Sequence, residues 1–325
     1  MKGKHNIILE TGHVRYELEI KRNITVIQGD SATGKTTLLD LLRQYYQRGK
    51  GSGVVLQSDK RCVVFGGSND NWKPMIEAEN DCIVFIDEDY TFIYSKEFAE
   101  VVKGSDNYYV LITRKPLKNL PYSVNEIYGI KTSGKYNFPQ KTYNELYRIY
   151  ADEIETKSLE SVIITEDSNS GFQFFKAIAK TKECISSDGN ANISNVLIKF
   201  DKKKACLVIA DGAAFGSLIE QVLSVAKMRK NVSVYLPESF EWLVLKSGLI
   251  TDKAIEQVLE VPWDYIDSKE FFSWERFFYS ILEKSTRENK YMHYSKDELP
   301  EYYLQEKNSR KILDVLPEEI SEIIQ

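Results

Sequence analysis

Val14, Tyr16, Leu18 and Ile20 alternate with Arg15, Glu17 and Glu19, the period-two pattern of a strand with one buried face. A hairpin-like start is therefore expected before the apolar run Ile24-Thr25-Val26-Ile27. Leu38, Leu39, Leu41, Leu42 and Tyr45 then recur at helical spacing, and Gly49-Lys50-Gly51-Ser52-Gly53 ends that helix. Short apolar runs follow at Cys62–Phe65, Cys82–Ile86 and Tyr108–Ile112, and Glu126–Ile130 supplies a last strand of the first half. Their unbroken apolar character predicts strands buried on both faces.

Residues 131–160 are polar and turn-rich around one tyrosine-bearing segment, Tyr143 to Tyr150, and place a boundary near residue 155. Alternation then restarts. Strands are expected at Val162–Ile164, Glu183–Ile185, Leu207–Ala210 and Val232–Leu236, with helices at Phe172–Lys180, Ile193–Phe200 and Leu218–Met228 between them. That order predicts a second, smaller parallel sheet. From residue 250 the pattern is helical: Phe271, Phe272, Trp274, Phe277, Phe278, Ile281 and Leu282 form a stripe at spacings of three and four. With Glu270, Glu275 and Glu283 beside it, the stripe reads as an aromatic core or a partner-binding helix rather than a base-stacking platform. The expected fold class is α/β, with domains at 1–155 and 156–250 and a helical C-terminal extension at 251–325.

Composition adds limits. The chain has 325 residues, 42% hydrophobic and 28% charged, as in an ordinary globular protein. No apolar run approaches the roughly 20 residues of a membrane span, and the first residues lead into a strand rather than a signal-peptide core, so a cytoplasmic protein without membrane association is expected. Cys62, Cys82, Cys184 and Cys206 each stand alone in or beside apolar segments, which suits core residues in a reducing compartment. His5, His13 and His293 are scattered and suggest neither a triad nor a zinc site. Residues 1–150 hold 21 Lys and Arg against 18 Asp and Glu, and residues 151–325 hold 22 against 30. The net charge of −5 argues against indiscriminate coating of nucleic acid.

The chemistry centres on Gly29-Asp30-Ser31-Ala32-Thr33-Gly34-Lys35-Thr36, set between a β-branched strand and an amphipathic helix. Two glycines let the backbone wrap a phosphate, Lys35 reaches the β/γ oxygens, and Thr36 completes a Mg²⁺ shell, with Thr37 opening the helix whose positive end faces the anion. Downstream, Cys82–Ile86 ends in Asp87-Glu88-Asp89. There Asp87 can hold the Mg²⁺ shell and Glu88 can orient or deprotonate water. In the second half three strands end in carboxylates: Glu166-Asp167, Asp211, and Glu238 with Glu241. Strand C-terminal ends are where parallel α/β sheets carry their chemistry, so the three could converge on one Mg²⁺.

Residues 1–130 resemble the P-loop ATPases of the additional-strand, catalytic-glutamate division. Ile24–Gly29 with Gly34–Leu39 is similar to the opening of an ABC-type ATPase, but no Leu-Ser-Gly-Gly-Gln-like signature lies between Thr36 and Asp87 and the interval is too short for the usual helical insertion. Transport and the nucleotide-sandwich dimer are therefore disfavoured. The resemblance implies ATP and Mg²⁺ as cofactors and Thr113, at the end of Tyr108–Ile112, as a γ-phosphate sensor. Arg114 beside it reads equally as a charge stabiliser or as a surface arginine. The order of the second half is similar to a TOPRIM (topoisomerase-primase) domain, as fused to ATPases in overcoming-lysogenization-defect nucleases. That resemblance implies a second Mg²⁺ or Mn²⁺ at Glu166 and Asp211, with Gly216 at the spacing of a glycine that often follows. Ala213 stands at the second aspartate position, where no methyl group ligates a metal, and Glu238 or Glu241 would have to substitute. Three functions stay open on these grounds. One is an ATPase controlling a TOPRIM-like module in DNA processing or antiviral defence, one a nucleotide-gated interaction module, and one an active metal-dependent nuclease. The partners implied are ATP, with DNA, a protein or a second copy of the chain as alternatives.

Overall fold

The computed structural model describes residues 1–29, 34–132, 141–150 and 161–325. Asp30, Ser31, Ala32 and Thr33 of the expected phosphate loop, and the boundary near residue 155, lie outside the described residues. The chain divides into two compact units, Met1–Ala151 with Trp263–Phe272, and Asp152–Pro262 with Ser273–Gln325.

The first unit contains β1 (His5–Glu10), β2 (Val14–Ile20), β3 (Ile24–Ile27), α1 (Lys35–Arg48), β4 (Val55–Ser58), β5 (Arg61–Val64) and α2 (Trp72–Glu77). It continues with β6 (Cys82–Ile86), α3 (Lys96–Gly104), β7 (Tyr108–Ile112), β8 (Ile127–Thr132) and β9 (Thr142–Arg148). These strands form one nine-stranded sheet in the order β4-β1-β2-β9-β8-β3-β7-β6-β5. From β8 through β3, β7 and β6 to β5 every pairing is parallel. The strands β3, β6 and β7 are buried at every position, which is why their sequences run apolar without alternation. At the other end of the sheet β1 pairs antiparallel with β2 and β4. There one face is wet, and the alternation read from Val14 to Ile20 is the direct record of it.

Two expectations change. Tyr143 to Tyr150 is not linker: Thr142–Arg148 is β9, parallel to β2 and antiparallel to β8, so Glu126–Ile130 does not carry the unit's last strand. Its polar side chains hid the strand because four of its seven positions are half-buried and the other three exposed. Nor do residues 251–325 form an extension of their own. Trp263–Phe272 belongs to the first unit, where the Trp263 carbonyl accepts a hydrogen bond from the Gly3 amide at 2.7 Å and Lys21 lies 4.7 Å from the indole centroid.

The second unit contains β10 (Ser161–Thr165), α4 (Ser170–Ile178), β11 (Cys184–Ser186), α5 (Ile193–Lys199), β12 (Ala205–Ile209), α6 (Ile219–Arg229) and β13 (Val232–Tyr235). The helices α7 (Phe240–Lys246), α8 (Lys253–Glu260), α9 (Trp274–Thr286), α10 (Glu301–Leu304), α11 (Glu306–Leu313) and α12 (Glu318–Ile324) follow. Its four strands are parallel throughout, in the order β11-β10-β12-β13. The chain leaves β10 towards one edge and returns to the other side, so the switch point falls between β10 and β12. Trp274, Phe277, Phe278 and Leu282 on α9 are buried, and α9 packs on α7 and on the turn Gly212–Ala214. The aromatic stripe is thus core. Among the described residues no helix is long and apolar enough to cross a membrane.

Candidate functional sites

In the first unit the sheet order sets β7 between β3, which leads into the glycine-rich loop, and β6, which ends in Asp87. Gly34 caps α1 in the left-handed region at φ 92°, a conformation glycine adopts without steric cost. A Cβ there would also stand 2.8 Å from the Tyr16 hydroxyl. Tyr16, buried on β2, donates from that hydroxyl to the Gly34 carbonyl at 2.9 Å, and the hydroxyl also meets the side chains of Thr37 and Asn144. Strand β2 therefore fixes the point where loop becomes helix. Burial raises the Tyr16 pKa, so it stays a donor at neutral pH.

Lys35 is buried, and its ammonium donates to the Gly29 carbonyl at 2.6 Å, closing the two described ends of the loop on one another. Thr36 and Thr37 are exposed on the first turn of α1. Asp87 is partly buried at the end of β6, and its Oδ1 accepts the Glu88 amide at 2.8 Å. Its Oδ2 lies 3.8 Å from the Arg43 guanidinium of α1, which ties the acidic strand end to the helix that follows the loop. Burial raises the Asp87 pKa. Glu88 faces Arg114 at 3.2 Å. Thr113 is fully buried; its hydroxyl meets the Tyr94 hydroxyl at 2.7 Å, accepts the Lys115 amide at 3.0 Å and reaches the Lys115 carbonyl. Reaching a phosphate would require it to give up those partners.

If the loop carries phosphate, Tyr16→Phe loses one hydrogen bond to its frame, of the order of 1 kcal/mol. The expected result is about a two- to tenfold weaker ATP affinity with unfolding temperature little changed, measured by calorimetry and thermal melts.

In the second unit the carboxylates of Glu166 and Asp211 meet at the switch point, since β10 and β12 are neighbours. The Asp211 amide donates to Glu166 Oε2 at 3.2 Å, and the Phe240 amide donates to Asp211 Oδ1 at 3.2 Å. Gly212 follows because the backbone closes here: its amide donates to the Pro237 carbonyl at 2.6 Å, and a Cβ would stand 2.7 Å from the Leu236 carbonyl oxygen. Ser239 caps α7 by accepting the Trp242 amide, which turns the buried Glu241 inward. Tyr294 donates to Glu241 Oε1 at 2.8 Å and itself contacts the Ser170 hydroxyl at 2.5 Å. Glu241 Oε2 is buried with no hydrogen-bond partner among the described residues.

Glu166, Asp211 and Glu241 line a small recess of about 30 Å³, together with Lys296. Ala213 is buried and is not among the lining residues. Asp167, adjacent to Glu166, also lines the recess, where its oxygens accept from the amide and side chain of Asn169, and Glu238 is not among the lining residues. Burial pushes all three carboxylates up; Glu275 adds to the shift of Glu166, and Glu166 to that of Asp211. Burial opposes the Lys296 ammonium, but the charges of Glu275, Glu241 and Asp211 outweigh it and raise the Lys296 pKa. Lys296 donates to Glu275 Oε1 at 2.7 Å. Among the described residues no three His, Cys, Asp or Glu side chains are gathered as a metal-holding group. Sequence reasoning met Glu275 only as a flank of the aromatic stripe and did not reach Tyr294 or Lys296, because they sit 64 or more residues beyond Asp211 in a stretch whose only pattern is helical; no local signal marks them as site residues.

No protein-family model and no curated protein matches this chain.

Proposed function

We propose that the first unit binds ATP with Mg²⁺ and hydrolyses it, and that this cycle controls the carboxylate recess of the second. The observation that carries the reading is the parallel order β8-β3-β7-β6-β5. It sets a strand between the loop strand and the acidic strand, and the loop leads into α1, whose Arg43 approaches Asp87. In this reading Lys35 and the loop amides of residues 29–34 hold phosphates, and Thr36 and Asp87 hold Mg²⁺. Glu88 positions water once Arg114 releases it. Mg²⁺ supplies charge neutralisation at the phosphates. Purified protein should release phosphate from ATP only with Mg²⁺, and the absence of any turnover above the Lys35→Ala variant would remove the ATPase reading.

A second reading concerns the recess. We propose that Glu166, Asp211 and Glu241 take a divalent cation and that the unit resembles TOPRIM modules in acting on phosphodiesters, with binding without cleavage as the alternative. The buried, unpartnered Glu241 Oε2 favours it, since an uncompensated carboxylate oxygen is costly to bury. A cation there supplies Lewis-acid chemistry. Incubation with single- and double-stranded DNA and Mg²⁺ or Mn²⁺ tests it: cleavage that survives loss of both Glu166 and Asp211 refutes the assignment.

A further inference from the structure

Residue 213 is a buried alanine and carries no carboxylate. Helix α9 packs on the turn Gly212–Ala214, and its first turn carries Glu275. The charge of Glu275 acts on Glu166, Asp211 and Glu241 alike. With Asp167, which also lines the recess, the group comprises five carboxylates with the Lys296 ammonium among them. Four of the five are anchored by uncharged donors: the amides of Asp211 and Phe240 for Glu166 and Asp211, Asn169 for Asp167, and the Tyr294 hydroxyl for Glu241. Glu275 alone is shown held by a cation, Lys296 at 2.7 Å.

We propose that Glu275 supplies the carboxylate missing at Ala213, completing with Glu166, Asp211 and Glu241 a site for Mg²⁺ or Mn²⁺, and that Lys296 is the counter-ion which the metal displaces from Glu275. The proposal rests on the cation reading of the recess. Its physical basis is charge. With Asp167 counted, five carboxylates against one ammonium leave four negative charges uncompensated when all are ionised, and buried charge without a partner is expensive. A hard divalent ion removes two of the four and prefers an all-oxygen donor set of this kind. The unpartnered Glu241 Oε2 is the oxygen already free to turn to it. Because Lys296 stands among the carboxylates, they close on an ion only when its contact with Glu275 opens. Metal and ammonium therefore compete for one carboxylate.

The test is Mn²⁺ binding to the full chain without nucleotide, followed by electron paramagnetic resonance, in a Lys35→Ala background that disables the phosphate loop. Asp211→Asn and Glu275→Gln should each weaken Mn²⁺ by at least about tenfold, a loss typical even of residues one shell removed from a metal. Lys296→Met should tighten it. The decisive arm adds Glu275→Gln to Lys296→Met: a ligand still costs at least about tenfold there, whereas a mere partner of Lys296 costs nothing, and that result would overturn the proposal. Glu275→Ala in the same background serves should the Gln variant fold poorly, with the same two outcomes. Mn²⁺ affinity insensitive to Asp211→Asn would instead remove the cation reading and this assignment with it.

Discussion

Lys35→Ala should abolish Mg²⁺-dependent ATP turnover, lowering the rate by at least about 10²- to 10³-fold, the usual loss when one preorganised charge at a reacting phosphate or oxyanion is removed. Lys35 is buried at the start of α1, and its ammonium bridges to the Gly29 carbonyl at 2.6 Å. The substitution therefore has two consequences. The loop loses the contact that joins its two ends, and a bound phosphate loses its cation. Phosphate release measures the first-order effect, and ATP calorimetry should show weakened binding as well. The folded state should survive, because Leu38, Leu39, Leu41 and Leu42 on the same helix remain buried in the core. Full turnover in this variant would move any ATPase chemistry away from the loop.

Glu88→Gln should separate turnover from binding. The side chain keeps its length and its place at the end of β6 but can no longer act as a base. A general base contributes about 10²- to 10⁴-fold, so phosphate release should fall by that factor while ATP affinity stays within roughly threefold, the pattern expected when only transition-state stabilisation is lost. Arg114, 3.2 Å from Glu88, loses a charged partner in this variant. That pair is substantially exposed, so little stability should go with it. A chain that retains its cellular function with Glu88→Gln would use nucleotide as a ligand, and the interaction-module alternative would then replace the hydrolase reading.

Much of the fold was legible because burial on both faces leaves an unmistakable trace. Ile24–Ile27, Cys82–Ile86 and Tyr108–Ile112 read as buried strands, and they lie side by side in the parallel part of the large sheet. The glycine-rich loop was legible for a related reason: a left-handed position such as Gly34 restricts which residue can stand there. Strand β9 was not legible. Its pairing with β2 and β8 is made by backbone hydrogen bonds, and its half-exposed side chains carry no apolar period to report them. The segment Trp263–Phe272 was equally hidden, since its membership of the first unit rests on Gly3, Lys4 and Lys21, more than two hundred residues away in the chain.

The candidate sites divide in the same way. Sequence by itself determined the α/β class, the loop that joins β3 to α1, the acids Asp87 and Glu88 at one strand end, and Glu166, Asp211 and Glu241 near three others. These are local facts, set by hydrophobic period and by residue type within a few positions. Only the tertiary structure decided which of them meet. The order of the strands brings β10 beside β12 and so joins Glu166 to Asp211. The turn of α7 carries Glu241 inward and leaves Glu238 off the recess. The packing of α9 on Gly212–Ala214, and the contact of its Glu275 with Lys296 on the recess wall, join a late helix to those strand ends. Such convergence depends on contacts between residues far apart in the chain, and a single sequence holds no periodicity that could encode it.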